Sequence, residues 1–394
     1  MTAMNRPPAP HVVIVGGGGT GGALALDLVL RGVRVTLVER GEITSGTTGR
    51  HHGLLHSGAR YAVNDAESAV ECIEENLILR RTMPGSFEEN DGLFVGIDDE
   101  DMAYGEKLYA ACGETGIPAR WVTPKEALRL EPNLNPAMKG AIQVPDASFD
   151  AMRVPLRWFA TAKANGAVIR PFSEVTELVV RDRCVTSVRG RDHRTGRDFE
   201  VGADIVVNAC GPWAEKVAAM AGCDVPIQPS PGVLLAVRGR VCNMVVNRMH
   251  KSGDGDIVVP QRGLSVVGTS SWVVTDPDDL GVPEDHVQRM YTEGAKLIPI
   301  VARAPLRQAW SAARPLIGSG GASTGRELSR TFKCFDHLER DGVDGFVTIS
   351  GGKATTQRAM AEATANVVCG KLGIDAPCRT RDTVLLPHTA YYAA

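Results

Sequence analysis

Long apolar runs are missing from this 394-residue chain. None approaches the roughly 20 residues a helix needs to cross a bilayer, which sets a membrane-spanning class aside. The first ten residues, MTAMNRPPAP, lack the apolar stretch of a secretory leader and read as a short lead-in. Clustered cysteines are missing too. The nine, at 72, 112, 184, 210, 223, 242, 334, 369 and 378, are odd in number and form no C-x-x-C pair. That scatter argues against a disulfide framework, a structural zinc site or an iron–sulfur cluster, so no metal is expected. It predicts reduced, mostly buried thiols in a cytosolic protein, peripheral to a membrane at most. Neither sign of charge dominates: 43 Lys and Arg face 46 Asp and Glu, for a net charge of −3. With no basic run or aromatic-interleaved basic strip, nucleic acid is not an expected partner. There is no internal repeat and no low-complexity tract. The length exceeds one typical domain, so two domains with ordinary globular composition are expected.

Glycine, by contrast, is abundant and placed. The stretch His11 to Arg40, HVVIVGGGGTGGALALDLVLRGVRVTLVER, reads as an apolar strand, a glycine turn, a helix over roughly Gly22 to Arg31, and a second apolar strand ending at Glu39. Gly16, Gly18 and Gly21 fall in the G-x-G-x-x-G positions of a dinucleotide-binding βαβ unit. The first permits the tight turn, the second lets backbone N–H groups approach a pyrophosphate, and the third lets helix and strand pack closely. The helix N-terminus adds partial positive charge for the phosphates. Glu39, about 20 residues on, is placed to accept hydrogen bonds from a ribose. Taken alone, the unit fits NAD as readily as FAD.

The segment 40–58, RGEITSGTTGRHHGLLHSG, is too rich in Gly, Ser and Thr for regular structure. Thr47, Thr48 and Gly53 can offer hydroxyl or backbone hydrogen bonds to a pyrophosphate and a flat ring. His51, His52 and His56 with Arg50 and Arg60 make a dense cationic cluster. Helices are predicted over Glu67–Arg81, Glu100–Gly116, Asp150–Gly166 and Glu284–Ile298, with another opened by the capping pattern Thr123-Pro124-Lys125-Glu126. A strand pair is expected from Val168 to Val180, with Val175 able to face an adenine. Asp204 to Ala209 reads as a buried strand running into Cys210-Gly211-Pro212-Trp213, and Pro226 to Thr275 as strand-rich. Phe346 to Ser350 reads as a last buried strand, turning at Gly351-Gly352-Lys353-Ala354-Thr355 into a helix.

The runs VIVGGGGTGG, GRHHGLLHSGARYAV, VVNACGPWA, ARPL and ISGGKATTQR, in that order and spacing, resemble the FAD-dependent glycerol-3-phosphate dehydrogenases. The resemblance is strongest to the catalytic A subunit of the anaerobic enzyme, within the D-amino-acid-oxidase-like flavoproteins. It covers His11 to about Pro387. It implies an α/β Rossmann-like FAD-binding domain, discontinuous over 10–91, 146–222 and 318–387, with an inserted β-rich substrate domain over 92–145 and 223–317. Residues 1–9 and 388–394 would be flexible ends.

FAD is the implied cofactor, and the implied contacts are Gly16, Gly18, Gly19, Thr20, Gly21, Glu39, Arg40, Thr47, Thr48, His52, Gly53, Val175, Gly211, Trp213, Gly352, Lys353 and Thr355. Arg60, Arg314 and Arg330 match arginines that hold the substrate, and Tyr61 joins them; a guanidinium fork suits a small anionic substrate. His56 is the candidate base, and Lys353 the group that stabilises negative charge on the reduced ring. The implied reaction is oxidation of a secondary alcohol such as glycerol 3-phosphate, or of a phosphonate or carboxylate analogue, by hydride transfer to flavin N5. The electron acceptor would be oxygen, a quinone or a partner protein.

The departures fall on the substrate side. Ser230-Pro231-Gly232-Val233 replaces a Lys-Gly-Ser-like turn, Gln357 replaces a tyrosine, and Ser311-Ala312-Ala313-Arg314-Pro315 replaces S-G-V-R-P. The chain also ends without the cysteine-rich region that extends the anaerobic enzyme's catalytic chain, which leaves the electron exit open. Two other readings follow from the same scaffold: an amine or amino-acid oxidase, and a flavin-binding subunit that needs a partner for turnover.

Overall fold

The computed structural model describes residues 9–318 and 331–393. Its first sheet has six strands: β1 (His11–Val15), β2 (Arg34–Val38), β3 (Val168–Arg170), β4 (Ile205–Asn208), β5 (Phe332–Asp336) and β6 (Phe346–Gly351). Their spatial order is β5-β6-β4-β1-β2-β3. All neighbouring pairs are parallel except β5 against β6. The two central strands, β1 and β4, are apolar on both faces because helices and a small three-stranded sheet cover them. Val12, Val13, Ile14, Val206 and Val207 have no exposed surface.

Four helices matter for the site: α1 (Gly19–Leu30), α2 (Ala66–Thr82), α3 (Arg153–Ala164) and α4 (Gln357–Lys371). Helix α1 lies against both α3 and α4. It begins three residues earlier than its sequence suggests, because Gly18 serves as its N-cap and the glycine run itself adopts helical geometry. The turn tolerates little else. Gly16 sits at φ +115°, and a Cβ on Gly21 would lie 2.0 Å from the Gly16 carbonyl oxygen. Helix α3 begins at Arg153, not Asp150, because the Asp150 carboxylate accepts the N–H groups of Met152 and Arg153, each at 3.0 Å.

The expected strand pair over 168–180 is divided between two sheets. Phe172 has φ +59°, which breaks the chain after β3. Residues 173–181 then join a three-stranded antiparallel sheet with 184–192 and 197–202.

The second large sheet has eight strands in the order 306–317, 227–238, 264–268, 257–261, 245–248, 92–96, 140–144, 120–122. It draws on two stretches separated by more than 80 residues of chain, joined by the parallel pairing of Val245–Arg248 with Gly92–Val95. The long strands Ile227–Arg238 and Leu306–Ile317 run antiparallel, with Ser230 opposite Arg314. Behind them Val233, Leu235, Val237, Val258 and Val267 form a separate apolar core with the amphipathic helix Glu284–Leu297. The carboxyl ends of β1 and β4 and the turn after β6 thus face the two long strands of the second sheet.

Candidate active site

A cavity of about 700 Å³ lies between the two sheets. One end is built by turns that follow buried strands. After β1 come Gly16 to Thr20; after β2, Glu39 and Arg40; after β4, Cys210 to Trp213; and Val175 completes this end. Glu39 is held by two backbone donors, the N–H of Gly17 at 2.7 Å and of Gly41 at 2.8 Å. The other end carries His52, His56, Arg60, Tyr61, Arg314 and Lys353. Gly351 and Gly352, at φ +87° and +70°, turn the chain out of β6 between the two ends.

Several residues assigned to cofactor contact have other partners. The Thr48 hydroxyl accepts the Gly19 N–H at 3.0 Å, taking up one free donor at the start of α1. The Thr47 hydroxyl donates to the Ala313 carbonyl at 2.6 Å, tying this loop to the long strand that carries Arg314. Both still lie on the cavity wall. Gly53 does not: its N–H donates to His51 Nδ1 at 2.9 Å, and it borders a smaller hollow with Gln261 and Arg262. Thr355 is also off the wall. It is fully buried, and its hydroxyl accepts the His56 N–H at 3.1 Å, so it positions the candidate base. Gly21 packs on Gly16. Arg330 lies outside the described residues.

At the cationic end each charge is held differently. The Arg60 side chain is only 8% exposed and pairs with Asp256 at 2.5 Å. Its Nη2 also reaches Ser252 at 3.0 Å, while Nη1 is buried with no partner. An orphaned guanidinium N–H on a cavity wall is a donor set for an anion. Arg314 is cradled by carbonyls: Nη1 donates to Ser230 at 3.2 Å, Nη2 to Ser270 at 3.2 Å and to the Thr269 hydroxyl. Lys353 lies 3.4 Å from Glu71 and over the Tyr61 ring at 5.1 Å.

His56 faces Tyr61 with ring centroids 5.4 Å apart. Burial, then the cations Arg60 and Lys353, push its pKa down to about 3, so it is a neutral imidazole at physiological pH. Burial likewise lowers His51 to about 4 and His52 well below its ordinary value.

Sequence reasoning missed Asp256, Ser252 and Glu71, the partners of the cations. Asp256 sits in the run SGDGD, which reads only as a turn. Gln357 lies against the glycine turn, where a Cβ on Gly19 would be 1.8 Å from its Oε1, so it borders the phosphate-binding end. Gly232 makes room for Arg314, since a Cβ there would be 2.6 Å from Nη2. The Ser230 hydroxyl is buried against Ser271 at 3.0 Å.

Comparison with known proteins decides what the dinucleotide end holds. The FAD dependent oxidoreductase family, DAO, matches residues 11–358. The chain belongs to this family. Its cofactor is FAD, and the geometry suits it: a glycine turn at a helix N-terminus for the pyrophosphate, a fixed carboxylate at Glu39, and two further glycine turns along one cavity. Among curated family members, the A component of the anaerobic glycerol-3-phosphate dehydrogenase of Escherichia coli K12 is 44% identical over 376 residues. That match covers 95% of this chain and 69% of the relative. The A1 component of the corresponding enzyme from Haloferax volcanii is 42% identical, over 96% of this chain and 66% of its own.

Solved structures share the fold. The reduced L-alpha-glycerophosphate oxidase of Mycoplasma pneumoniae with FAD bound has a TM-score of 0.76 at 19% identity, covering 96% of this chain and 99% of that one. Glycine oxidase from Geobacillus kaustophilus has a TM-score of 0.74 at 22% identity, covering 95% and 99%. The protein is an FAD-dependent oxidoreductase of the glycerol-3-phosphate dehydrogenase type. Among the described residues no helix is long and apolar enough to cross a membrane.

Proposed function

We propose that this protein oxidises the secondary hydroxyl of glycerol 3-phosphate, giving the corresponding ketone. The observation that carries the reading is the partnerless Nη1 of Arg60 on the wall of a cavity that also presents Arg314, Lys353 and a neutral His56. A phosphate dianion satisfies such a donor, and the guanidinium fork of Arg314 on the same cavity suits its oxygens.

Bound FAD supplies the acceptor for two electrons and the carbon-bound hydrogen, taken together as hydride at N5. The chain's residues do the rest. Arg60 and Arg314 bind the phosphate and set which hydroxyl lies near His56. His56 takes the hydroxyl proton, which it can do because it is uncharged before substrate binds. A bound dianion raises its proton affinity by offsetting Arg60 and Lys353. Lys353 donates to negative charge that develops at the reduced end. Electrons then leave to oxygen, a quinone or a partner protein; the Escherichia coli and Haloferax volcanii relatives are each named as a subunit, which favours a partner.

Anaerobic mixing of the holoprotein with glycerol 3-phosphate should bleach the flavin absorbance, and Arg314→Gln should raise the concentration required by at least about tenfold. Bleaching by glycine or another amino acid but not by the phosphate ester would replace this reading with an amine oxidation.

A further inference from the structure

The mouth of the cavity beside the glycine turn is crossed by residues 276–280, DPDDL, a stretch that leaves the strand-rich sheet and reaches over to the FAD-binding side. One carboxylate gathers three donors there. Asp278 accepts from Arg40 Nη2 at 3.0 Å, Trp213 Nε1 at 2.9 Å and Lys216 Nζ at 3.2 Å. Asp276 accepts from Lys216 as well, at 2.9 Å. The Arg40 guanidinium lies 4.5 Å above the Trp213 ring, so Asp278 fixes a stacked pair. At the far end of the stretch the Leu280 carbonyl accepts the Ser311 hydroxyl at 3.0 Å, which fastens it to the long strand Leu306–Ile317. Arg40, Trp213, Lys216, Asp278 and Leu280 all line the cavity.

We propose that residues 276–280 form an electrostatic clasp over the FAD, with Asp278 as a positioning residue that holds Arg40 and Trp213 across the mouth. The side chains of Arg40, Lys216, Asp276 and Asp278 are about half exposed. Pairs of that kind contribute little each, so the clasp opens thermally and loosens in salt. A buried pair would lock the cofactor in; these let it exchange. The clasp concerns the cofactor alone and stands whatever alcohol or amine is oxidised.

The experiment follows flavin fluorescence during FAD release from diluted holoprotein and during FAD uptake by apoprotein. Release should be about fivefold to tenfold faster in Asp278→Asn and in Lys216→Met than in the unaltered chain. Uptake separates a clasp from simple attraction of an anionic cofactor. Lys216→Met removes a positive charge, so attraction alone predicts slower uptake, whereas an opened clasp predicts faster uptake. Release from the unaltered protein should quicken as salt rises to about 0.5 M, and release from the double variant Asp276→Asn with Asp278→Asn should not. Slower uptake by Lys216→Met, unchanged release in both single variants, or equal salt dependence with and without the aspartates would each overturn the proposal.

Discussion

A histidine held at a pKa of about 3 is a poor base until something changes its surroundings; burial is the largest cause of the depression at His56, and Arg60 and Lys353 add to it. On the proposed reading, a phosphate bound by Arg60 and Arg314 offsets the part of the depression that the cations cause and leaves the part due to burial. His56→Asn should therefore lower kcat by about 10²-fold or more with a much smaller change in KM, measured by anaerobic flavin reduction. The same depression has a signature in stability. His51, His52 and His56 are neutral in the folded chain, whereas unfolded histidine takes up a proton below about pH 6.5. Between about pH 6.5 and pH 4 the unfolded state binds more protons, so stability falls with acid, by up to about 1.4 kcal/mol per pH unit for each histidine. Urea melts of the holoprotein across that range should show the slope, and His56→Asn should remove one histidine's share. A slope unaltered by that substitution would mean the ring titrates normally in the folded protein.

At the scale of elements, the site depends on turns that leave no volume for a side chain. Gly21→Ala puts a Cβ against the backbone oxygen of Gly16, which cannot swing away as a side chain would. Loss of FAD from the purified variant, read as the ratio of flavin to protein absorbance, is the expected result. A second joint lies behind the site. Arg358 at the start of α4 is fully buried and pairs with Glu75 of α2 at 2.5 Å and with Glu362 at 2.7 Å. Glu75→Gln leaves a buried guanidinium short of charge and should cost about 3 to 5 kcal/mol by chemical denaturation. The βαβ unit, with its Glu39, was legible because turn, helix and strand follow one another within 30 residues and local sterics dictate the glycines. Helix starts shifted by a few residues, at α3 because Asp150 accepts from the N–H groups of Met152 and Arg153 and at α1 because the glycine run itself is helical. The partners of the cations were not legible. Asp256 and Glu71 lie 196 and 282 positions from Arg60 and Lys353, and only tertiary packing brings them together. The surroundings of Gln357 were not legible for a similar reason: its neighbours along the chain are the lysine and threonines of the last turn, while the glycine turn it touches is more than 300 residues away.

For the molecule as a whole, the cavity is where the two large sheets share surface. Its wall takes Gly16 to Thr20, Glu39 and Trp213 from one side and Gly232, Leu234, Arg314 and Leu316 from the other. Each sheet has an apolar core of its own, one around Ile14, Leu24 and Phe159 and the other around Val233, Leu235, Val237, Val258 and Val267, and a third cluster joins them, with Ile227 of the second sheet packed among Val13, Val206 and Phe346 of the first. A ligand that touches both walls binds only when both are in place, and its binding free energy therefore stabilises the pair together. At FAD a hundredfold above its Kd that amounts to about 2.7 kcal/mol. Amide hydrogen exchange with and without FAD tests the coupling. Protection should rise not only in the turn between β1 and α1 but also in Ile227–Arg238 and Leu306–Ile317, which contribute no glycine turn to the cofactor. Protection confined to the first sheet would mean that the second is held against it by direct packing alone, and that the cofactor has no part in joining them.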